Sequence, residues 1–127
     1  MPTNSAGLRV SQDRPPAGPV ISGFSDGGFR IDGIVMAGAL LTPEWARPWT
    51  DPVIVEAALA PLLDIAPQPE FLLLGTGPDL VRPSPRFVAA IEARGIGVEA
   101  MDSRAAARAW GVLRGEDRWI VAALMPL

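Results

Sequence analysis

The chain has 127 residues, of which 49% are hydrophobic and 20% charged, and its formal net charge is −3. This length suits a single domain, and the composition favours a soluble, compact chain over a disordered one. The negative charge argues against nucleic acid as a partner, because phosphate backbones attract clustered positive charge.

The sequence contains no histidine, cysteine, tyrosine or lysine, so that all eleven cations are arginine. This chain therefore cannot supply a Ser-His-Asp or Cys-His catalytic set, a Schiff-base lysine or the usual zinc and iron–sulfur ligands. Paired carboxylates are the remaining route to acid–base catalysis, but spacing places no second group beside Asp26, Asp32, Asp51 or Asp102. The sequence favours a non-enzymatic protein with no cofactor and no metal.

The apolar stretches are short. Ile34–Leu41 and Ile120–Met125 are the longest, and both are far below the roughly 20 residues that a membrane-spanning helix needs. The N-terminus lacks the apolar core of a signal peptide, so we expect no transmembrane segment and a cytoplasmic location. Met1–Pro19 contains four prolines and no periodic apolar face. We predict a mobile tail over residues 1–19 and a single mixed α/β domain over 20–127.

Strand-forming residues dominate the first part of the domain, Val20–Thr42. They are interrupted by Asp26-Gly27-Gly28 and by Asp32-Gly33, pairs that are typical of tight hairpin turns. This pattern predicts an antiparallel β meander, with Gly38 at a bulge or a close backbone approach. Further along, the β-branched run Val53–Val55 predicts a short strand.

The rest of the chain alternates helical and strand patterns. A continuous apolar run, Phe71–Leu74, is typical of a strand that is covered on both faces. Ser84-Pro85 and Asp102-Ser103 are helix starts, and Gly95 is a helix stop. The predicted elements are a helix over 56–64, a strand over 71–74, a helix over 85–95, a strand over 96–101, a helix from 103 past Leu113, and a strand over 119–124.

Together these elements predict an α/β fold: a three-layer domain with a central mixed sheet plus an N-terminal antiparallel β meander. The strand–helix–strand unit should be a parallel, right-handed crossover. If it pairs its two strands directly, the loops that follow them are neighbours.

Those loops are the first candidate site, because ligands gather beyond the carboxyl ends of parallel strands. Both loops precede helix N-termini, which favour anions. The hypothesis is an anion or small-molecule pocket, and the alternative is that these residues only form turns, caps and a solvated helix face. The ligand-binding candidates are Gly75, Thr76, Gly77, Asp102, Ser103, Arg104 and Arg108.

The second candidate site is a tryptophan-containing segment that we predict to be a proline-containing loop. Trp45 and Trp49 flank Arg47-Pro48, and Arg47 could stack on an indole face. Large aromatic residues are mostly buried, so packing is the favoured role, but exposed tryptophan is a frequent anchor in protein interfaces. Trp45, Arg47 and Trp49 are therefore partner-binding candidates.

The ordered motifs resemble a small α/β family of unknown function that includes the mitochondrial complex I assembly factor 3 and an adipogenesis-associated protein. The resemblance covers about Val20 to Leu127. It depends on Gly27-Gly28-Phe29-Arg30-Ile31, Gly33, Gly38, Pro48-Trp49, Leu72-Leu73-Leu74-Gly75-Thr76-Gly77, Gly95-Ile96-Gly97-Val98-Glu99-Ala100-Met101-Asp102-Ser103, Ala105-Ala106-Ala107-Arg108 and Val121-Ala122-Ala123-Leu124-Met125-Pro126-Leu127.

The resemblance implies a central mixed sheet with one strand antiparallel to the rest, and it implies no established enzyme activity. It implies instead a non-enzymatic binding or assembly protein with a protein partner, which could be a respiratory-chain subunit. Trp110-Gly111 and the Thr42–Thr50 segment depart from the family pattern. The alternative, from the residues themselves, is a small-molecule or anion-binding protein, or an uncharacterised enzyme, that uses the two loops.

Overall fold

A computed structural model describes residues 17–127 of the chain. The predicted tail over residues 1–19 lies outside this range except for its last three residues. The strands are β1 (Ile21–Ser25), β2 (Gly28–Ile31), β3 (Ile34–Met36), β4 (Ala39–Leu41), β5 (Ala46–Pro48), β6 (Phe71–Gly75), β7 (Gly97–Met101) and β8 (Val121–Leu124). The helices are a 3₁₀ turn (Glu56–Leu59), α1 (Ala60–Leu63), α2 (Pro85–Glu92) and α3 (Ser103–Gly115).

Strands β1, β2 and β3 form a three-stranded antiparallel sheet in that order. Both connecting turns place an aspartate and a glycine at positive φ: Asp26 at 53° and Gly27 at 76°, then Asp32 at 49° and Gly33 at 83°. Two consecutive residues at positive φ match the backbone twist of a tight hairpin. The predicted meander is therefore confirmed for these three strands.

Strand β4, which the sequence places at the end of the meander, belongs to a second sheet instead. That five-stranded sheet has the order β5-β4-β8-β6-β7. β6 is parallel to both β7 and β8, whereas β4 is antiparallel to β8 and to β5. One strand thus runs against the other four, and the predicted mixed sheet is confirmed.

The five-stranded sheet is covered on both faces, which confirms the three-layer prediction. Leu73 contacts one core, with α3 and the inner face of the small sheet, and Leu72 and Leu74 contact the other, with the 3₁₀ turn, α1 and α2. Successive side chains of a strand point to opposite faces, so a strand between two cores needs an unbroken apolar run.

Three local predictions differ from the structure. Val53–Val55 forms no strand: it is irregular, Val53 and Val55 are exposed, and the Val55 N–H donates to the Val53 carbonyl. A strand needs a neighbouring strand to hydrogen-bond with. The segment Val53–Val55 has none, because the sheet ends at β5, whose one neighbour is β4. The Trp45–Trp49 segment, predicted as a loop, contains β5, where Pro48 is tolerated because the strand is an edge. The helix predicted over 56–64 begins as a 3₁₀ turn.

Candidate functional site

The two candidate loops meet, as expected for neighbouring parallel strands. Gly75 of β6 pairs in register with Met101 of β7. Just beyond the strands, the Thr76 N–H donates to the Met101 carbonyl at 2.9 Å. The β6 and β7 ends therefore bring Gly75–Gly77 and Asp102–Ser103 into direct contact.

Ser103 joins these loops to the C-terminal segment. Its hydroxyl accepts from the Gly77 N–H at 2.8 Å and donates to the Met125 carbonyl at 2.7 Å. The Ser103 N–H donates in turn to the Gly77 carbonyl at 2.8 Å. The side chain is fully buried, so its hydrogen bonds are all made inside the protein. The N–H groups that an anion would need at Gly77 and Ser103 are already bonded.

Thr76 is also satisfied within its own loop. Its hydroxyl donates to the Asp79 carbonyl at 2.7 Å and accepts from the Val81 N–H at 2.9 Å. A β-carbon on Gly75 would lie 2.8 Å from the Ser103 hydroxyl, which explains why this position is glycine. The residues of this loop thus have structural roles: they hydrogen-bond the backbone that follows β6 and allow Ser103 to pack against it.

The N-terminus of α3 is capped as predicted. The Asp102 carboxylate accepts from the Ala105 N–H at 2.9 Å. Arg104 and Arg108 are exposed on α3. The Arg104 guanidinium lies over the Phe24 ring of β1, 4.8 Å from its centroid, and Arg108 lines a groove beside the same strand. Both arginines are therefore associated with β1.

The tryptophan-containing segment separates into a buried and an exposed part. Trp49 is only 7% exposed and belongs to the core beneath α1 and α2. Trp45 is half-buried against the same core, and the exposed Arg47 guanidinium stacks 3.8 Å from its ring centroid. Of the three partner-binding candidates, Trp45 and Arg47 present surface to solvent, whereas Trp49 contributes core packing.

A groove between β1 and α3 is a feature that the sequence did not indicate. It has a volume of about 480 Å³, and Ile21, Phe24, Arg108, Gly111 and Val112 are among its lining residues. We call it the α3–β1 groove. A second cavity of about 290 Å³ shares Ile21 and Gly111 with it and extends to Trp110 and Arg114.

One signal in the sequence could have pointed to this region. Trp110 is fully buried, and Arg114 follows it by one helical turn, so Arg114 occupies the buried stripe of α3. An arginine in such a stripe is unusual, because charged side chains are rarely fully buried.

Residues 17–127 lack two features that are associated with particular functions. They contain no group of three or more acidic, histidine or cysteine side chains arranged to hold a metal ion. Within the same range, none of the helices combines the length and the apolar character required to cross a membrane.

Residues 21–125 match a family described as "Protein of unknown function (DUF498/DUF598)". An uncharacterized protein of Rhodobacter capsulatus is 39% identical over 108 residues, which is 84% of each chain. NADH dehydrogenase (ubiquinone) 1 alpha subcomplex assembly factor 3 of Danio rerio is 34% identical over 124 residues, covering 94% of this chain and 71% of that protein. A crystal structure from Bordetella parapertussis superposes with a TM-score of 0.78 at 31% identity, over 90% of this chain and all of the other.

Proposed function

Since the chain belongs to the DUF498/DUF598 family of proteins of unknown function, we propose that it is a non-catalytic protein-binding module that takes part in assembling a respiratory NADH dehydrogenase. The observation that supports this most directly is the 34% identity, over nearly the whole chain, to a protein named as an assembly factor for that enzyme. The missing histidine, cysteine, lysine and tyrosine side chains agree with a role that needs no catalysis.

The hydrogen bonds at the two loops favour docking over a small-molecule site there. The Ser103 and Thr76 hydroxyls are both engaged by neighbouring backbone groups. A polar ligand would have to replace these bonds rather than satisfy free groups, and exchanging one hydrogen bond for another gains little free energy.

We assign the docking contact to Trp45 and Arg47, which we call the Trp45–Arg47 surface. The guanidinium is held 3.8 Å from the indole centroid, so the pair is ordered before a partner arrives. Preorganised side chains lose less conformational entropy on binding. Tryptophan and arginine are also the residues most enriched among those that dominate interface energy. Both flank or belong to β5, an edge of the five-stranded sheet.

Affinity capture tests this proposal. The tagged full-length chain is incubated with detergent-solubilised native membranes, and the recovered proteins are identified by mass spectrometry. We expect a subunit of the NADH dehydrogenase, with recovery reduced about tenfold or more by Arg47→Glu or Trp45→Ala. Arg82→Glu is the matched control, because Arg82 is an exposed arginine in the loop before α2, away from β5. Circular dichroism verifies that each variant is folded.

Two results would contradict the proposal at different levels. Failure to recover any subunit of the NADH dehydrogenase reproducibly would argue against the assembly role. Recovery of a subunit at the same level with Arg47→Glu, Trp45→Ala and the parent chain would leave the assembly role in place and exclude the Trp45–Arg47 surface as the contact.

A further inference from the structure

Arg114 is a buried cation whose hydrogen bonding is incomplete. It lies in the last turn of α3, and only 4% of its surface is exposed. Nη1 donates to the Arg118 carbonyl at 2.7 Å, and Nη2 donates to the Ala17 carbonyl at 3.1 Å. The Nε–H is buried and has no partner in residues 17–127.

Such an arrangement costs free energy unless something balances it. Buried charges are normally paired, because removing a charge from water is unfavourable. The three ion pairs formed within residues 17–127 involve Arg94 and Arg118 as cations, and none involves Arg114. The two carbonyl acceptors and the negative end of the α3 dipole offset part of the cost. They leave one positive charge and one N–H donor without an anionic partner among the described residues.

Arg114 is one of the residues that line a space large enough for a ligand. Its cavity, of about 290 Å³, is also lined by Trp110, Pro19 and Val20. The cavity and the α3–β1 groove share Ile21 and Gly111, so the two spaces adjoin along one side of the helix. Their combined lining is mostly apolar, with Arg114 in the smaller cavity and Arg108 in the larger groove.

Gly111 lines both the cavity and the α3–β1 groove and contributes no side chain to either. It lies in the middle of α3, where glycine is less favourable than alanine. A β-carbon added there would meet no atom within 4 Å, so no close backbone packing requires the glycine. Any longer side chain at this position would project from the helix surface that lines both spaces.

We propose that Arg114 and the adjoining α3–β1 groove form a binding site for a monocarboxylic acid with an apolar tail. The carboxylate would approach the Arg114 side chain from the cavity and neutralise its charge, with that side chain turning to present the Nε–H, which is covered in the structure. The hydrocarbon chain would lie along Ile21, Gly111 and Val112, where it removes apolar surface from water. A single buried guanidinium matches a single negative charge, and apolar walls match the tail.

The test uses the ¹⁵N-labelled full-length chain and three probes at constant ionic strength: octanoate, acetate and 1-octanol. Binding is followed by NMR at the Trp110 indole N–H, which donates to the Pro19 carbonyl in the cavity wall, and at the Arg114 Nε–H. We expect saturable shifts with octanoate. Acetate lacks the tail and 1-octanol lacks the charge, so each should bind about tenfold or more weakly.

Two pairs of variants locate the site. Arg114→Gln should weaken octanoate binding about tenfold or more, while Arg82→Gln, which alters an exposed arginine elsewhere, should leave it unchanged. Gly111→Leu should abolish binding by filling the groove, whereas Gly111→Ala should retain it. The Gly111 pair leaves Arg114 intact, so it tests the site even if Arg114→Gln does not fold.

Three outcomes would overturn the proposal. Octanoate affinity could be the same in Arg114→Gln and Gly111→Leu as in the parent chain. Acetate could bind as tightly as octanoate, which would indicate an ion without a tail site. Octanoate could fail to produce saturable shifts at the Trp110 indole N–H and the Arg114 Nε–H of the parent chain.

Discussion

Ser103 illustrates how one side chain can occupy hydrogen-bonding groups at a candidate site. Its hydroxyl both accepts from the Gly77 N–H and donates to the Met125 carbonyl, with no exposure to water. A buried donor that loses its partner retains the full cost of its desolvation. The hydroxyl therefore stabilises the junction of three chain segments, and its role can be measured separately from any ligand.

Replacing Ser103 with alanine should lower the free energy of unfolding by about 1–3 kcal/mol, because the Gly77 N–H loses its acceptor inside the protein. Urea denaturation followed by circular dichroism measures this change. Ser22→Ala is the control, since Ser22 is exposed and its hydroxyl makes only a 3.4 Å contact with the Arg30 carbonyl. The control should change stability by less than about 0.5 kcal/mol. Equal losses in the two variants would contradict the role assigned to Ser103.

Single residues were predictable where their role depends on nearby sequence. Ser84 and Asp102 cap helices through hydrogen bonds to N–H groups three residues later, so the local motif contains all the information. Trp49 and Arg114 differ, because their burial depends on segments far along the chain. Trp49 is covered by residues of α1 and α2, and Arg114 is held by the Ala17 carbonyl 97 positions away.

The same distinction applies to whole elements. β6 was recognisable because an apolar run is dictated by the two cores around it. β4 was assigned to the meander because its neighbours in sequence are strands, but Leu41 pairs with Ala122 in the second sheet. Val53–Val55 has the composition of a strand and lacks a partner. Composition thus indicates β character, whereas the formation of a strand and the choice of its partner depend on tertiary contacts that composition does not encode.

An ion pair ties the start of β6 to the segment that enters β8. Glu70 accepts from the Arg118 guanidinium at 2.7 and 2.9 Å and from the Trp119 N–H at 3.2 Å. The Arg118 hydrogen bonds, followed by that of Trp119, hold the pKa of the Glu70 carboxyl below its ordinary value. A lowered pKa means that the folded state favours the ionised carboxylate. The ion pair therefore stabilises the fold at pH values above the pKa that the Glu70 carboxyl has in the unfolded chain.

We expect Glu70→Gln to lower stability at neutral pH and to lose this effect in acid. The difference between parent and variant should shrink as the pH falls below about 4.3, the ordinary glutamate pKa, and through the lower folded-state value. Urea denaturation midpoints between pH 7 and pH 3 measure it. Arg118→Gln removes the guanidinium of the same ion pair. The stability difference between the parent chain and this variant should therefore shrink over the same pH range. A gap between parent and Glu70→Gln that stays constant down to pH 3 would contradict the assignment.

At the scale of the whole molecule, the five-stranded sheet is shared by two cores. Trp110 lies in the core beneath α3 and the small sheet, and Trp49 lies in the core beneath α1 and α2. Adjacent residues of β6 contribute to opposite cores, so neither core can lose its packing without disturbing the strand that serves the other. The two layers should therefore unfold as one cooperative unit, which is the behaviour expected of a single small domain.

Two single-tryptophan proteins can test this cooperativity. One retains Trp110 and the other retains Trp49, with phenylalanine at the remaining tryptophan positions. In each protein the urea midpoint from fluorescence should coincide with that from far-UV circular dichroism. Leu73→Ala, a fully buried truncation in the Trp110 core, should lower the free energy of unfolding by about 2–5 kcal/mol and shift the Trp49 signal as much as the Trp110 signal. If Leu73→Ala moves only the Trp110 transition, the cores unfold independently and the shared sheet does not couple them.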